Sequence, residues 1–195
     1  MSRRTETLLQ ALPHVFHWRD LMKAAGYTEK TTRVVLVRWN AEGLVRKIGT
    51  RSGLYENHRN PSSRPLWAQV VAACCAEATI VGELALYQAG WLDNPPFIVE
   101  VALPRKRVLP AFDDVIYTRR RKAWWGRVEF AGAFEGVPIL TGAAALVDLL
   151  AYDATRVVRL HQKGLAIPAD ISIDALRAQA NELAEGVPPP QPVRR

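Results

Sequence analysis

Apolar residues in the first third of the chain recur at spacings of three and four, interrupted at proline and glycine. Leu8, Leu9 and Leu12 form one stripe and predict a helix over residues 5–12, stopped by Pro13. Residues 14–17 are β-compatible. Leu21, Met22 and Ala25 predict a second helix over Trp18–Ala25, which Gly26 ends. Thr28 offers an N-cap for a third helix reaching to Gly43. Two β-prone runs follow, at 44–48 and 54–56, separated by a loop that contains Thr50, Arg51, Ser52 and Gly53.

Three helices followed by a basic hairpin predict a winged helix-turn-helix. On a helical wheel at about 100° per residue, Thr32, Val35, Leu36 and Trp39 share the inner face of the third helix. Lys30, Arg33, Val34 and Val37 fall opposite, with Thr31 and Arg38 on a flank. An outward valine pair fits a face that enters a DNA major groove, where apolar side chains meet thymine methyls; it fits equally a face packed on another part of the protein. In the hairpin, Val45 and Ile48 point inward, while Arg46, Lys47, Thr50 and Arg51 are candidates for contact with phosphates or the minor groove. A solvated edge kept soluble by its charge is the alternative.

Beyond residue 58 the pattern changes. Residues 59–65 read as a linker. A helix over 66–78 then opens a mixed α/β second domain, 66–185. A helix capped by Thr79, a strand over 97–103, strands over 115–118, 128–130 and Val137–Leu140, and a helix over Gly142–Tyr152 capped by Thr141 follow. Two further helices are expected at 154–163 and 173–185, and residues 186–195, with four prolines, read as a disordered tail. The fold class is therefore α+β.

Charge is distributed unevenly along this pattern. Residues 1–60 hold eleven Lys and Arg against five Asp and Glu, so that six of the seven net positive charges fall there. Such asymmetry points to a polyanion at that end. The two cysteines, Cys74 and Cys75, are adjacent and lie in an Ala/Val-rich run; they suit core positions better than a disulfide and agree with a cytoplasmic location. Neither a secretory signal nor a membrane span is expected.

No catalytic constellation emerges. His14 and His17 lack zinc-ligand company, no phosphate-binding loop or nucleophile elbow occurs, and no metal or cofactor is expected. Asp93, Glu100, Asp113 and Asp114 raise a metal-dependent nuclease, but Glu100 precedes Val101-Ala102 rather than a Glu-x-Lys triplet. One further cluster places Arg119, Arg120, Arg121 and Lys122 before Trp124 and Trp125. Cations beside aromatics bind nucleic acid by charge and stacking; a hairpin tip above two core tryptophans, or a contact for an acidic protein, gives the same pattern.

Two segments of the second domain carry a resemblance. Ala78-Thr79-Ile80-Val81-Gly82-Glu83-Leu84-Ala85-Leu86-Tyr87-Gln88-Ala89-Gly90 and Pro138-Ile139-Leu140-Thr141-Gly142-Ala143-Ala144-Ala145-Leu146-Val147-Asp148-Leu149-Leu150 are similar to segments of the AbiEi-type antitoxins of abortive-infection systems. The strand at 97–103 and the basic strand at 115–122 stand in corresponding places. Gly82-Glu83 departs from the family's Ser-Ala start, and Ala144 stands where it often has Lys. The resemblance implies an N-terminal winged helix that binds an operator and represses its own operon, with a second domain that counters a nucleotidyltransferase-like toxin without a stable complex being required. A free-standing winged-helix regulator whose second domain binds a ligand or dimerises is the alternative.

Overall fold

The structure is a computed structural model and describes residues 2–104 and 109–185. It is mixed α and β and divides into two compact units. The first runs to Ala76 and takes in short stretches at 109–112 and 135–137; the second comprises the other described residues.

In the first unit α1 (Arg3–Ala11), β1 (Val15–His17), α2 (Trp18–Ala25) and α3 (Glu29–Ala41) precede a hairpin of β2 (Val45–Ile48) and β3 (Leu54–Asn57). The strands form one antiparallel sheet in the order β1-β3-β2. Each of the first three helix starts has a side-chain acceptor. Ser2 caps α1, and Thr28 caps α3 by accepting from the Thr31 N–H. His17 and Asp20 form a reciprocal capping box on α2. Leu9, Leu12, Phe16, Leu21, Leu36, Trp39, Leu44 and Val45 make up one buried cluster.

Asn57 is the fully buried polar residue of β3. Its Nδ2 donates to the carbonyls of Leu9 at 2.7 Å and Leu12 at 3.2 Å, while its Oδ1 accepts from the Arg59 N–H at 3.0 Å. The last carbonyls of a helix have no partner within it, so a strand side chain closes the end of α1.

The helix expected over 66–78 forms as α4 (Leu66–Cys74), but it belongs to the first unit. Val70 packs with Val15, Ile48 and Leu54. The expected boundary at 59–65 therefore moves to Ala76, because the apolar surface of α4 is buried on the three-stranded sheet.

The second sheet has five strands in the order β6-β5-β4-β8-β7: β4 (Thr79–Val81), β5 (Val99–Leu103), β6 (Val115–Arg119), β7 (Phe130–Phe134) and β8 (Val137–Leu140). β4 is antiparallel to β5 and parallel to β8, and β5 is parallel to β6. Between them lie α5 (Glu83–Gln88) and the short α6 (Lys122–Trp125); α7 (Gly142–Tyr152), α8 (Ala154–Gln162) and α9 (Ile173–Ala184) complete the unit. The buried α7 packs against α5, α8 and α9. Gly142 at its start allows this closeness, since a Cβ there would stand 2.7 Å from the Trp91 ring.

Three expectations change. Thr79 does not cap a helix: Thr79-Ile80-Val81 is the central strand β4, buried throughout, which suits β-branched side chains between two covered faces. The strand expected from residue 97 begins at Val99, leaving Phe97 outside it and exposed. The strand expected at 128–130 forms further on, as β7. The tail at 186–195 lies outside the described residues. Among those described, no helix is long and apolar enough to cross a membrane.

Replacing Asn57 with Ala leaves the Leu9 carbonyl without its buried donor, while the Leu12 carbonyl keeps Asn60 Nδ2 at 2.9 Å. The expected cost is about 1–3 kcal/mol, read as a lower urea midpoint for unfolding.

Candidate nucleic-acid interface

The third helix owes its orientation to its inner side. Thr32, Leu36 and Trp39 are each no more than 1% exposed, and Val35 packs partly buried on the same cluster. Thr32 satisfies its hydroxyl within the helix, donating to the Thr28 carbonyl at 2.8 Å. The opposite side is open to solvent. Lys30, Thr31, Arg33 and Arg38 are exposed, and Val34 and Val37 are 65% and 71% exposed. The valine pair therefore packs on no other described part of the chain.

The hairpin is tied to this helix and to its own tip. The Lys47 N–H donates to Asn40 Oδ1 at 3.2 Å, and the Leu44 N–H to the Trp39 carbonyl at 2.9 Å. At the tip, the Ser52 hydroxyl donates to the Ile48 carbonyl and accepts from the Leu54 N–H. Val45 and Ile48 are buried, whereas Arg46, Lys47, Thr50 and Arg51 are exposed. Tyr55, opposite Lys47 in the ladder, stacks on Phe16. Burial pushes the Tyr55 phenol above its usual range, an effect that the Arg33 guanidinium opposes.

Several of these cations have intramolecular partners. Arg33 Nη2 meets Glu29 Oε1 one turn earlier, Arg38 lies 3.8 Å from Glu42, and Arg46 sits 2.7 Å from Glu56 across the ladder. Glu56 is also faced by the Nε2 atoms of His14 and His58, at 3.6 and 3.7 Å. Lys30, Lys47 and Arg51 make no such pair among the described residues. The Thr31 hydroxyl is hydrogen-bonded to that of Thr28 at 2.9 Å.

The second basic cluster takes a different form. Arg119 ends β6, Arg121 immediately precedes α6, and both are exposed, as is Lys122. Arg120 and Trp124 are buried, which removes them from any surface contact. Arg120 grips Asp148 of α7 with two bonds, Nε to Oδ1 at 2.8 Å and Nη2 to Oδ2 at 2.7 Å. The Trp124 indole N–H donates to the same carboxylate at 2.8 Å. Trp125 is half-buried, edge-on to Trp124 with ring centres 4.5 Å apart, so it is not a free stacking platform.

From Asp148 the charges continue toward less buried positions on β5, α8 and α5. Arg120 Nη2 is 3.4 Å from Glu100 Oε1, while Arg156 joins Glu100 Oε2 at 2.9 Å to Glu83 Oε1 at 2.7 Å. The Tyr152 ring covers the Arg120 guanidinium at 4.1 Å. Burial by itself would lower the Arg120 pKa; the hydrogen bonds and charge of Asp148, with Glu100 and Tyr152, outweigh it and raise the value. Burial likewise pushes the Tyr152 phenol up, against the pull of Arg120. Gly82 gives β4 room to turn into α5 beside this group: its φ is +66°, and a Cβ would come 3.2 Å from Glu100 Oε2.

Glu100, raised above as a nuclease carboxylate, thus has each oxygen against a guanidinium. Asp93, Asp113 and Asp114 are exposed. Among the described residues, no three His, Cys, Asp or Glu side chains are grouped to hold a metal ion. The network was not read from the sequence, although one signal was visible: Asp148 is the only charged residue in the helix Gly142–Tyr152. A carboxylate inside such a helix requires a buried cation.

Asp148→Ala leaves Arg120 buried without its main partner. The expected loss is about 3–5 kcal/mol, seen as an earlier urea transition in tryptophan fluorescence, with Asp148→Asn intermediate. A comparison with protein-family models finds no match for this sequence. A comparison with curated proteins finds no significant similarity.

Proposed function

We propose that the first unit is a winged helix that binds double-stranded DNA, and that the chain is a cytoplasmic transcriptional autorepressor and antitoxin. One observation carries the DNA-binding reading. Helix α3 is locked on its inner side by Leu36 and Trp39 and offers solvent a face of Lys30, Arg33, Val34 and Val37 beside a basic hairpin. The sheet order β1-β3-β2, with β1 between the first two helices and the β2–β3 hairpin after the third, supports the winged-helix assignment.

In this reading α3 enters the major groove. Arg33 and Lys30 reach base edges, Val34 and Val37 meet thymine methyls, and Thr31 and Arg38 line the sides of the groove. Arg46, Lys47, Thr50 and Arg51 approach phosphates or the neighbouring minor groove, holding position without reading sequence. Arg119, Arg121 and Lys122 are the exposed remainder of a possible second contact. Binding, not catalysis, is the activity assigned, and no cofactor is required.

The antitoxin half rests on the resemblance of residues 78–90 and 138–150 to AbiEi-type proteins. The partner implied is a nucleotidyltransferase-like toxin, countered with or without direct contact. Growth rescue on co-expression with the product of the adjacent reading frame tests it. Absence of rescue by the full chain would leave a free-standing regulator.

Two substitutions separate the roles on DNA. Arg33→Ala is expected to weaken binding to the selected operator by about 1–3 kcal/mol and relax preference at one base pair. Unchanged operator affinity in a titration refutes the assignment. Lys47→Ala is expected to weaken all duplexes alike and to reduce the slope of log K against log salt by about one. An unaltered slope removes the phosphate contact.

A further inference from the structure

Arg33 and Glu29 stand one helical turn apart on the outward side of α3, with side chains 70% and 55% exposed. Only Nη2 of the guanidinium touches the carboxylate. An arginine reading guanine presents a fork of two N–H groups to O6 and N7, and five donors are available in all. Arg33 can therefore keep Glu29 and still present Nη1 with a second donor to a base. The other two pairs are built differently. Arg38 and Glu42 are separated by 3.8 Å on a flank of the helix, and Arg46 spends both Nε and Nη2 on Glu56 in the hairpin.

We propose that Glu29 is a specificity-determining residue for the DNA-binding surface, a positioning residue that acts through Arg33. Its carboxylate holds the guanidinium toward the groove floor and repels phosphates that approach from elsewhere. At the matching site Arg33 satisfies a guanine without giving up Glu29. On any other sequence Arg33 meets a phosphate instead, and its free donors can serve one only with the Glu29 carboxylate held close to the same negative charge. The penalty thus falls mainly on non-specific binding, which draws almost wholly on phosphate contacts. The inference rests on the DNA-binding reading above.

The test uses the full chain, a duplex selected from a random pool, and a duplex of unrelated sequence. Glu29→Gln removes the charge and keeps an acceptor for Arg33. It is expected to tighten non-specific binding about fivefold near 0.15 M salt and to steepen the salt slope by about one, as for one added phosphate contact. Preference at the base pair read by Arg33 is expected to persist. Glu29→Ala removes both charge and acceptor, and should relax that preference as well. Glu6→Gln, exposed on α1, serves as the control for the same charge change on another helix, and thermal unfolding checks that each variant is folded.

Non-specific affinity and base preference unchanged in Glu29→Ala, while the unaltered chain still selects a duplex, would overturn the inference alone. Failure of the unaltered chain to bind any duplex would overturn the DNA-binding reading and this inference with it.

Discussion

The burial of Leu36 and Trp39 against Leu9, Phe16 and Leu21 is the constraint on which the first unit depends. A helix has one free rotation about its own axis, and an inner stripe of two large side chains removes it. Once these are inward, the 3.6-residue repeat sends Lys30, Arg33, Val34 and Val37 to solvent without further instruction. The hairpin follows from the same anchor. Leu44 and Val45 join the cluster, so the chain leaves α3 already committed to the sheet, and Asn40 holds Lys47 by its backbone. Asn57 then returns the far strand to the end of α1. Position of the exposed cations is thus a consequence of apolar packing, not of any interaction among the cations themselves.

This dependence explains why the first unit was largely legible. Periodicity is local, and the stripe Thr32, Leu36, Trp39 can be read from one helix alone. The residues that were misread depend on partners distant in sequence. Arg120 lies in a run of four cations, and local context makes such a run look like a solvated patch. What decides otherwise is Asp148, 28 residues later on α7. Thr79 looked like a cap because Thr commonly is one, but a strand on each side made Thr79–Val81 a central strand. The apolar helix α4 gave no sign of which core it would join, since one apolar surface looks like another until a sheet is available to cover it.

Within the second unit the ionic chain behaves as a specification of register more than a source of stability. A buried ion pair gains little over a well-packed apolar pair, yet removing one member is costly. Asp148, Glu100, Arg156 and Glu83 belong to α7, β5, α8 and α5, and Arg120 directly follows β6. Each of these elements must therefore arrive at one position along its axis for the charges to be met. An arginine gripped through two nitrogens does not tolerate a slip of α7 by a turn, because its plane and both distances are fixed at once.

The two units consequently use charge in opposite ways. Arg120, which is buried, and Arg156, which is partly so, are matched by carboxylates at hydrogen-bonding distance, so at long range their fields largely cancel. Lys30, Lys47 and Arg51 project into solvent with no such match among the described residues, and they set the field that a distant polyanion meets. Near contact the balance shifts again, because Arg33, Arg38 and Arg46 bring carboxylates with them. In the proposed DNA-binding reading, attraction at a distance is then generous, while attachment at close range depends on whether a guanidinium finds something better than its own glutamate.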